Sequence, residues 1–309
     1  MSTSQTLEVP GYQVVQYLGS GARSTIWQIR DSQSNELFSL KRVVKRSLAD
    51  VRYLDQAVNE YEVASRLDHD NIRRVIGIRK IKHWLALREV HLIMEFCEGA
   101  TIQDEPPRSV LQVAEIFSQV AGAMAYMNSR GYVHADMKPN NVVVAPSGQV
   151  KLIDLGQSCP IGTVKQRIQG TPDFIAPEQV HRGPLDGRTD VFNFGATLYW
   201  ALTGKPIVTA LPKKGMLMVD MVVQQPQDIN PNVPIPFAKL VMDCIEIRPS
   251  RRPTSMGDVS ARLALILHAL RKLRKEAISH KSLATSHEAR NDEGEKVAKA
   301  EPDAKVADS

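Results

Sequence analysis

The chain has 309 residues, 39 Lys and Arg against 34 Asp and Glu for a net charge of +5, with 43% hydrophobic and 24% charged residues. That balance suits two ordinary domains or one large domain of two lobes, and it excludes a collagen, a disulfide-stapled secreted module and a wholly disordered chain. The three cysteines, Cys97, Cys159 and Cys244, are odd in number and form no C-x-x-C, so a reducing, cytoplasmic setting is expected rather than a zinc knuckle or a disulfide framework.

In chain order, the opening MSTSQTLEVP carries neither the basic nor the apolar stretch of a secretory signal. Residues 12–22 and 24–31 read as strands around a glycine turn, and 36–44 is a further apolar, β-rich run. A charged helical stretch follows at 48–67, with Leu54, Val58, Tyr61 and Ala64 near helical spacing, and 88–96 is another strand. From about 107 helices take over. Val113, Ile116, Phe117, Val120, Met124 and Met127 share one face of a helix that Gly131 stops. The most apolar stretch, 191–204, contains Asn193 and Gly195 and reads as a buried core helix; no transmembrane segment of ~20 apolar residues is expected. Residues 256–275 form an amphipathic helix whose terminal bases complement its dipole. Residues 276–309 hold eight acids, five bases and no aromatic residue, and are expected to be a disordered tail; the remainder of the chain then carries a net +8.

Three local patterns bear on chemistry. Gly19-Ser20-Gly21-Ala22-Arg23-Ser24-Thr25-Ile26 lies between two strands, where glycines let the backbone approach a polyphosphate; a bare glycine hairpin reads the same way, and a dinucleotide fingerprint is disfavoured because a strand follows. Lys41 sits in an apolar strand, where it meets an anion or snorkels to water. Glu60 on the next helix can supply that anion, and Glu62, the competing carboxylate, points roughly the other way. The third pattern is the most specific. Val133-His134-Ala135-Asp136-Met137-Lys138-Pro139-Asn140-Asn141 precedes a strand, a turn at 146–148, and a second strand running into Asp154-Leu155-Gly156. Loops leaving adjacent strands bring Asp136, Lys138, Asn141 and Asp154 together. Asp154 and the Asn141 amide oxygen suit Mg²⁺, a hard cation that shares oxygen ligands with phosphates, and Asp136 is left to accept a hydroxyl proton.

These motifs, in this order, resemble the eukaryotic-type Ser/Thr protein kinase family in its bacterial-style form, over roughly residues 11–265. The resemblance implies an α+β, bilobal protein-kinase fold. An N-terminal arm would span 1–10, a small β-rich N-lobe 11–97, a larger helical C-lobe 98–275, and the charged tail 276–309. It implies ATP and Mg²⁺, with Gly19, Ser20, Gly21, Ala22 and Ile26 in the phosphate-covering loop. Lys41, in F-S-L-K, matches the phosphate-binding lysine, and Glu60, nine residues before His69, its ion-pair partner. Met94 resembles the gatekeeper, Glu95 and Cys97 lie in the hinge, and Leu155 follows the metal-binding aspartate. Asp136 matches the catalytic aspartate, Lys138 the lysine on the transferred phosphate, and Asn141 and Asp154 the metal ligands. Gly170-Thr171-Pro172 and Ala176-Pro177-Glu178 match the peptide-binding end of the activation segment, Asp190 and Gly195 a helix start, and Arg252 the partner of Glu178.

Four positions depart from the pattern. Ser24 replaces a third glycine, Leu155 the phenylalanine of D-F-G, and Phe192 a tryptophan. Ala135 replaces the arginine of H-R-D that neutralises an activation-loop phosphate, so activity independent of loop phosphorylation is expected. The implied activity is transfer of the ATP γ-phosphoryl to Ser or Thr hydroxyls of protein substrates. The alternative is a pseudokinase that binds nucleotide and partners without catalysis, with Ser24 and Ala135 as its support. No nucleic-acid partner is expected, because bases such as Arg73, Arg74, Arg79, Lys80 and Lys82 have little aromatic interleaving and read as part of a mixed, solvated surface.

Overall fold

Period-two alternation through the first hundred residues builds a five-stranded antiparallel sheet in the order β1-β2-β3-β5-β4. Its strands are β1 (Tyr12–Gly21), β2 (Ser24–Asp31), β3 (Leu37–Val44), β4 (Val75–His83) and β5 (Ala86–Glu95). The computed structural model describes residues 7–21, 23–207 and 223–298; Ala22 and the first six residues lie outside that range. The sequence pattern gives no strand at 75–83, because Arg79, Lys80, Lys82 and His83 interrupt the alternation. An edge strand paired only with β5 tolerates those charges, and lysines there discourage further pairing.

One helix, α1 (Val51–Ala64), crosses this sheet. Its buried face is Leu54, Ala57, Glu60, Val63 and Ala64, with Val58 and Tyr61 only half-buried. Leu54 and Ala57 pack on Val43, Val90, Leu92 and Met94. The buried face therefore carries a carboxylate into the sheet's underside.

The rest is mainly helical. In chain order come β6 (Ala100–Thr101), α2 (Val110–Ser129), β7 (Tyr132–Val133), β8 (Val142–Val144), β9 (Val150–Leu152), β10 (Cys159–Pro160), α3 (Pro177–Val180), α4 (Gly187–Thr203), α5 (Pro226–Ile229), α6 (Ile235–Cys244) and α7 (Met256–Ala298). Ser109 caps α2 by accepting the Gln112 N–H at 3.1 Å. α2 is long and apolar enough by composition to cross a bilayer, yet it is the central core helix here, with Phe117 edge-on to Phe194 of α4. At Gly195 a Cβ would stand 2.4 Å from the Cys244 Cβ, so α4 and α6 touch backbone to side chain. Of the stretch expected to be disordered, 276–309, the part to Ala298 continues α7 as helix, and 299–309 lie outside the described residues. A helix satisfies its backbone within itself and needs no tertiary core to do so.

Candidate active site

Lys41 lies on β3, and the helical face of α1 delivers Glu60 to it: Lys41 Nζ to Glu60 Oε2 is 2.7 Å. Glu62 is exposed on the other side of the helix. The same ammonium reaches Asp154 Oδ1 at 3.1 Å. Burial alone would pull the Lys41 ammonium below its ordinary pKa, but the Asp154 and Glu60 carboxylates reverse that and hold it above. Lys41 in turn keeps Asp154 well below the usual carboxylate range, against the pull of burial. Both groups are charged at neutral pH.

Arg73, which the sequence reading grouped with the free surface bases, donates to the second oxygen of Glu60, Nη2 to Oε1 3.1 Å. Nothing in the local pattern marks that contact, since the partners sit on different elements. Asn59, the neighbour of Glu60, donates to the carbonyls of Gly156 and Ser158 at 3.2 and 2.9 Å. Asn59 therefore holds α1 against the loop that carries Asp154, and Arg73, whose own N–H bonds the Leu152 carbonyl at 3.0 Å, ties it to the strand before that loop.

The second half of the site is the loop between β7 and β8. Asp190, at the start of α4, accepts the backbone N–H groups of His134 and Ala135, each at 3.0 Å, and the Asn128 amide at 2.7 Å. Burial pushes this carboxyl above its ordinary range in spite of those donors. The Asn141 amide donates to the Asp136 carbonyl at 2.8 Å, closing the loop on itself. Gln179 ties it to the following segment, donating to the Ala135 and Gln169 carbonyls at 2.7 and 3.2 Å. Ala135 and Asp154 both have positive φ, 61° and 62°, a conformation that non-glycine residues hold only where surrounding bonds over-determine it.

The side chains of this loop converge. Asp136 Oδ2 accepts from Lys138 Nζ at 2.8 Å, Oδ1 accepts from Thr171 Oγ1 at 2.9 Å, and Lys138 also reaches Thr171 Oγ1 at 3.0 Å. A cleft of about 780 Å³ between the sheet and the helices is lined by Gly19, Ser20, Gly21, Ile26, Lys41, Asp136, Lys138, Asn141 and Asp154. Arg52, Arg73, Arg167 and Thr171 complete much of its wall. Met94, Glu95, Cys97 and Leu155 are not part of that wall. Met94 and Leu155 are packed in the upper and lower cores, and the Glu95 carboxylate turns to Lys151 Nζ at 2.6 Å. Ala22 lies outside the described residues.

The donor set fits a hard divalent cation. With the Asn141 nitrogen committed to the Asp136 carbonyl, its oxygen is the free end of the amide, and Asp154 Oδ2 takes no hydrogen bond among the described residues. One carboxylate and one amide oxygen with phosphates supplying the rest is a magnesium set, and no cluster of three His, Cys, Asp or Glu side chains among the described residues offers a protein cage instead. Opposing cations and anions in one cleft, with a carboxylate facing a hydroxyl-bearing residue, can bind a polyphosphate and orient an alcohol.

Comparison with known proteins agrees with this geometry. The protein kinase domain profile matches residues 12–265. A Clostridium acetobutylicum protein named as a probable serine/threonine-protein kinase is 23% identical over 263 residues, covering 80% of this chain and 38% of its own length. Sperm motility kinase 2B of Mus musculus is 31% identical over 201 residues, 63% of this chain and 40% of that one. Serine/threonine-protein kinase TIO of Arabidopsis thaliana is 28% identical over 204 residues, 64% of this chain and 15% of that one. The chain thus spans less than half the length of these curated relatives.

Proposed function

The chain belongs to the protein kinase domain family, and from that premise we propose that it is a serine/threonine kinase that moves the γ-phosphoryl of ATP to Ser or Thr hydroxyls of protein substrates. The observation that carries this reading is the triangle of Asp136, Lys138 and Thr171, with sides of 2.8, 2.9 and 3.0 Å, opposite the Lys41–Glu60 pair. In this reading the backbone from Gly19 to Gly21 covers the phosphates and Lys41, fixed by Glu60, holds them. Asn141 and Asp154 would hold Mg²⁺, which when bound neutralises charge on the phosphate oxygens.

Asp136 orients the acceptor hydroxyl and takes its proton. Lys138 neutralises charge on the moving phosphoryl group, and Thr171 keeps both side chains aimed at that point. The acceleration comes from positioning and fixed charge rather than covalent chemistry. Lys138 two residues after Asp136, with Thr171 beside it, favours an aliphatic hydroxyl acceptor over tyrosine. The three cysteines carry free thiols, two of them buried, which supports a cytoplasmic setting. The reading is tested by incubating the purified chain with γ-labelled ATP, magnesium and a panel of polypeptides, then identifying the labelled amino acid. Label on serine and threonine supports it; label on tyrosine alone contradicts the acceptor class.

A further inference from the structure

Three large apolar side chains stand almost wholly in solvent: Leu85 at 95% exposure, Trp84 at 89% and Leu48 at 85%, the highest among the described large hydrophobic residues. Register puts all three at one end of the upper sheet. His83 pairs with Ala86, which leaves Trp84 and Leu85 as the two-residue turn between β4 and β5. Val44 at the end of β3 pairs with Glu89 near the start of β5, and Lys45 N–H continues the ladder to the Arg88 carbonyl at 2.9 Å. Leu48 opens the short turn just beyond. Trp84 has φ 55°, where two-residue hairpins favour glycine or asparagine, so a bulky aromatic is held there against local preference. Single exposed apolar residues are ordinary, but three at one sheet end, one of them strained, mark a contact surface.

The charge around them has one sign. Lys45, Arg46, Arg79, Lys80, Lys82 and Arg88 make no ion pair among the described residues. No acid occurs between Val75 and Arg88. The two nearby carboxylates are committed: Asp50 to Arg23 and the N–H groups of Arg46 and Ser47, Glu89 to Arg42 and His91.

We infer that this end of the sheet is a peripheral membrane contact for a bilayer rich in anionic phospholipid, with Trp84, Leu85 and Leu48 entering the headgroup layer and the six bases meeting its phosphates and carboxylates. Tryptophan favours that layer, and juxtaposed lysines and arginines add attraction to an anionic leaflet. A bilayer suits the shape better than a protein or nucleic acid. The apolar tip is a convex turn, and successive residues of a strand point to opposite faces, so Arg79 and Lys80 flank it on both sides rather than lining one wall. A planar, deformable, negative surface accepts that arrangement without a pocket. This inference is independent of how the cleft is read.

The test uses the full chain with phosphatidylcholine vesicles, with and without phosphatidylserine. The chain is expected to sediment with the anionic vesicles only, to be released by high salt, and to show a blue shift of tryptophan emission; Trp27 and Trp200 are partly buried, so the shift reports Trp84. Trp84→Gly with Leu85→Ser suits the turn's backbone and keeps the fold, and is expected to weaken binding at least about tenfold. Lys80→Gln with Lys82→Gln leaves the tip intact and is expected to weaken it through charge alone. Equal binding to both vesicle types, unshifted emission, or undiminished binding by the Trp84→Gly, Leu85→Ser variant would overturn the inference. So would binding to an acidic polypeptide or an oligonucleotide with no binding to vesicles.

Discussion

Arg73 and Lys41 divide Glu60 between them: the guanidinium holds Oε1 at 3.1 Å while the ammonium holds Oε2 at 2.7 Å. Glu60 is almost fully buried, so each oxygen needs a donor, and α1 is held by two cations, Lys41 on β3 and Arg73 on the connection to β4, whose N–H bonds the Leu152 carbonyl of β9 at 3.0 Å. Arg73→Ala leaves Lys41 paired but frees half the anchor. Steady-state ADP release is expected to show kcat lowered about tenfold, equivalent to 1.4 kcal/mol of barrier, with KM for ATP moved less. Arg73→Lys is expected to restore most of the rate.

The Arg252–Glu178 pair is structural. The guanidinium is fully enclosed, forks onto both carboxylate oxygens at 2.7 and 3.0 Å, and donates to the carbonyls of Arg188, Glu246 and Ile247. Its plane also lies over the Phe192 ring, 4.8 Å from the centroid. Arg252→Ala removes one partner of a buried pair and is expected to cost about 3–5 kcal/mol in denaturant titrations. Arg252→Lys is expected to recover little, because an ammonium cannot make the fork.

Two of the three hydroxyls between Asp154 and Glu178 are already engaged within the fold. Ser158 is buried, with its hydroxyl donating to the His134 carbonyl, and Thr171 is engaged with Asp136 and Lys138. Thr163 donates to the Pro160 carbonyl at 2.6 Å within its own turn. With Ala135 where an arginine would receive a phosphate, Thr163→Ala is expected to retain most of the activity in a peptide phosphorylation assay. A loss beyond about tenfold would refute loop-independent activation.

Glu89 gives an acid-side handle on stability. Burial raises its pKa, but hydrogen bonds with His91 and Arg42 win and lower it from 4.5 to about 2. A carboxyl whose folded pKa is depressed stabilises the fold above its unfolded value and loses that contribution as pH falls through the folded one. Thermal melts of Glu89→Gln are therefore expected to fall less steeply than wild type between about pH 4.5 and pH 2, with a lower melting temperature at neutral pH.

The two-lobed fold and the elements around the site were legible because their signals are local. The apolar spacing of α2, the glycines before β2, and the nineteen-residue step from Lys41 to Glu60 all survive in one dimension. What stayed hidden depends on contacts between distant elements. β4 was masked by its own bases, which matter little on an edge strand. Arg73 looked like one more surface cation until the connection between α1 and β4 brought it to Glu60. The anchoring of the Asp136 loop by Asp190 and Gln179 needs α3 and α4 folded back across it, 44 or more residues downstream of their contacts at Ala135. The helix beyond 276 was missed for a different reason: low apolar content argues against a packed core but not against a helix that supplies its own hydrogen bonds.

The most direct measurement compares wild type with Asp136→Asn, scoring phosphoryl transfer to serine- and threonine-containing polypeptides and nucleotide affinity on the same preparations. Asparagine keeps the shape facing Lys138 and Thr171 but cannot take the hydroxyl proton, so transfer is expected to fall at least about a hundredfold while nucleotide affinity changes little. Transfer that persists in Asp136→Asn, or a wild type that binds magnesium–ATP and moves no phosphate to any polypeptide, would contradict the account.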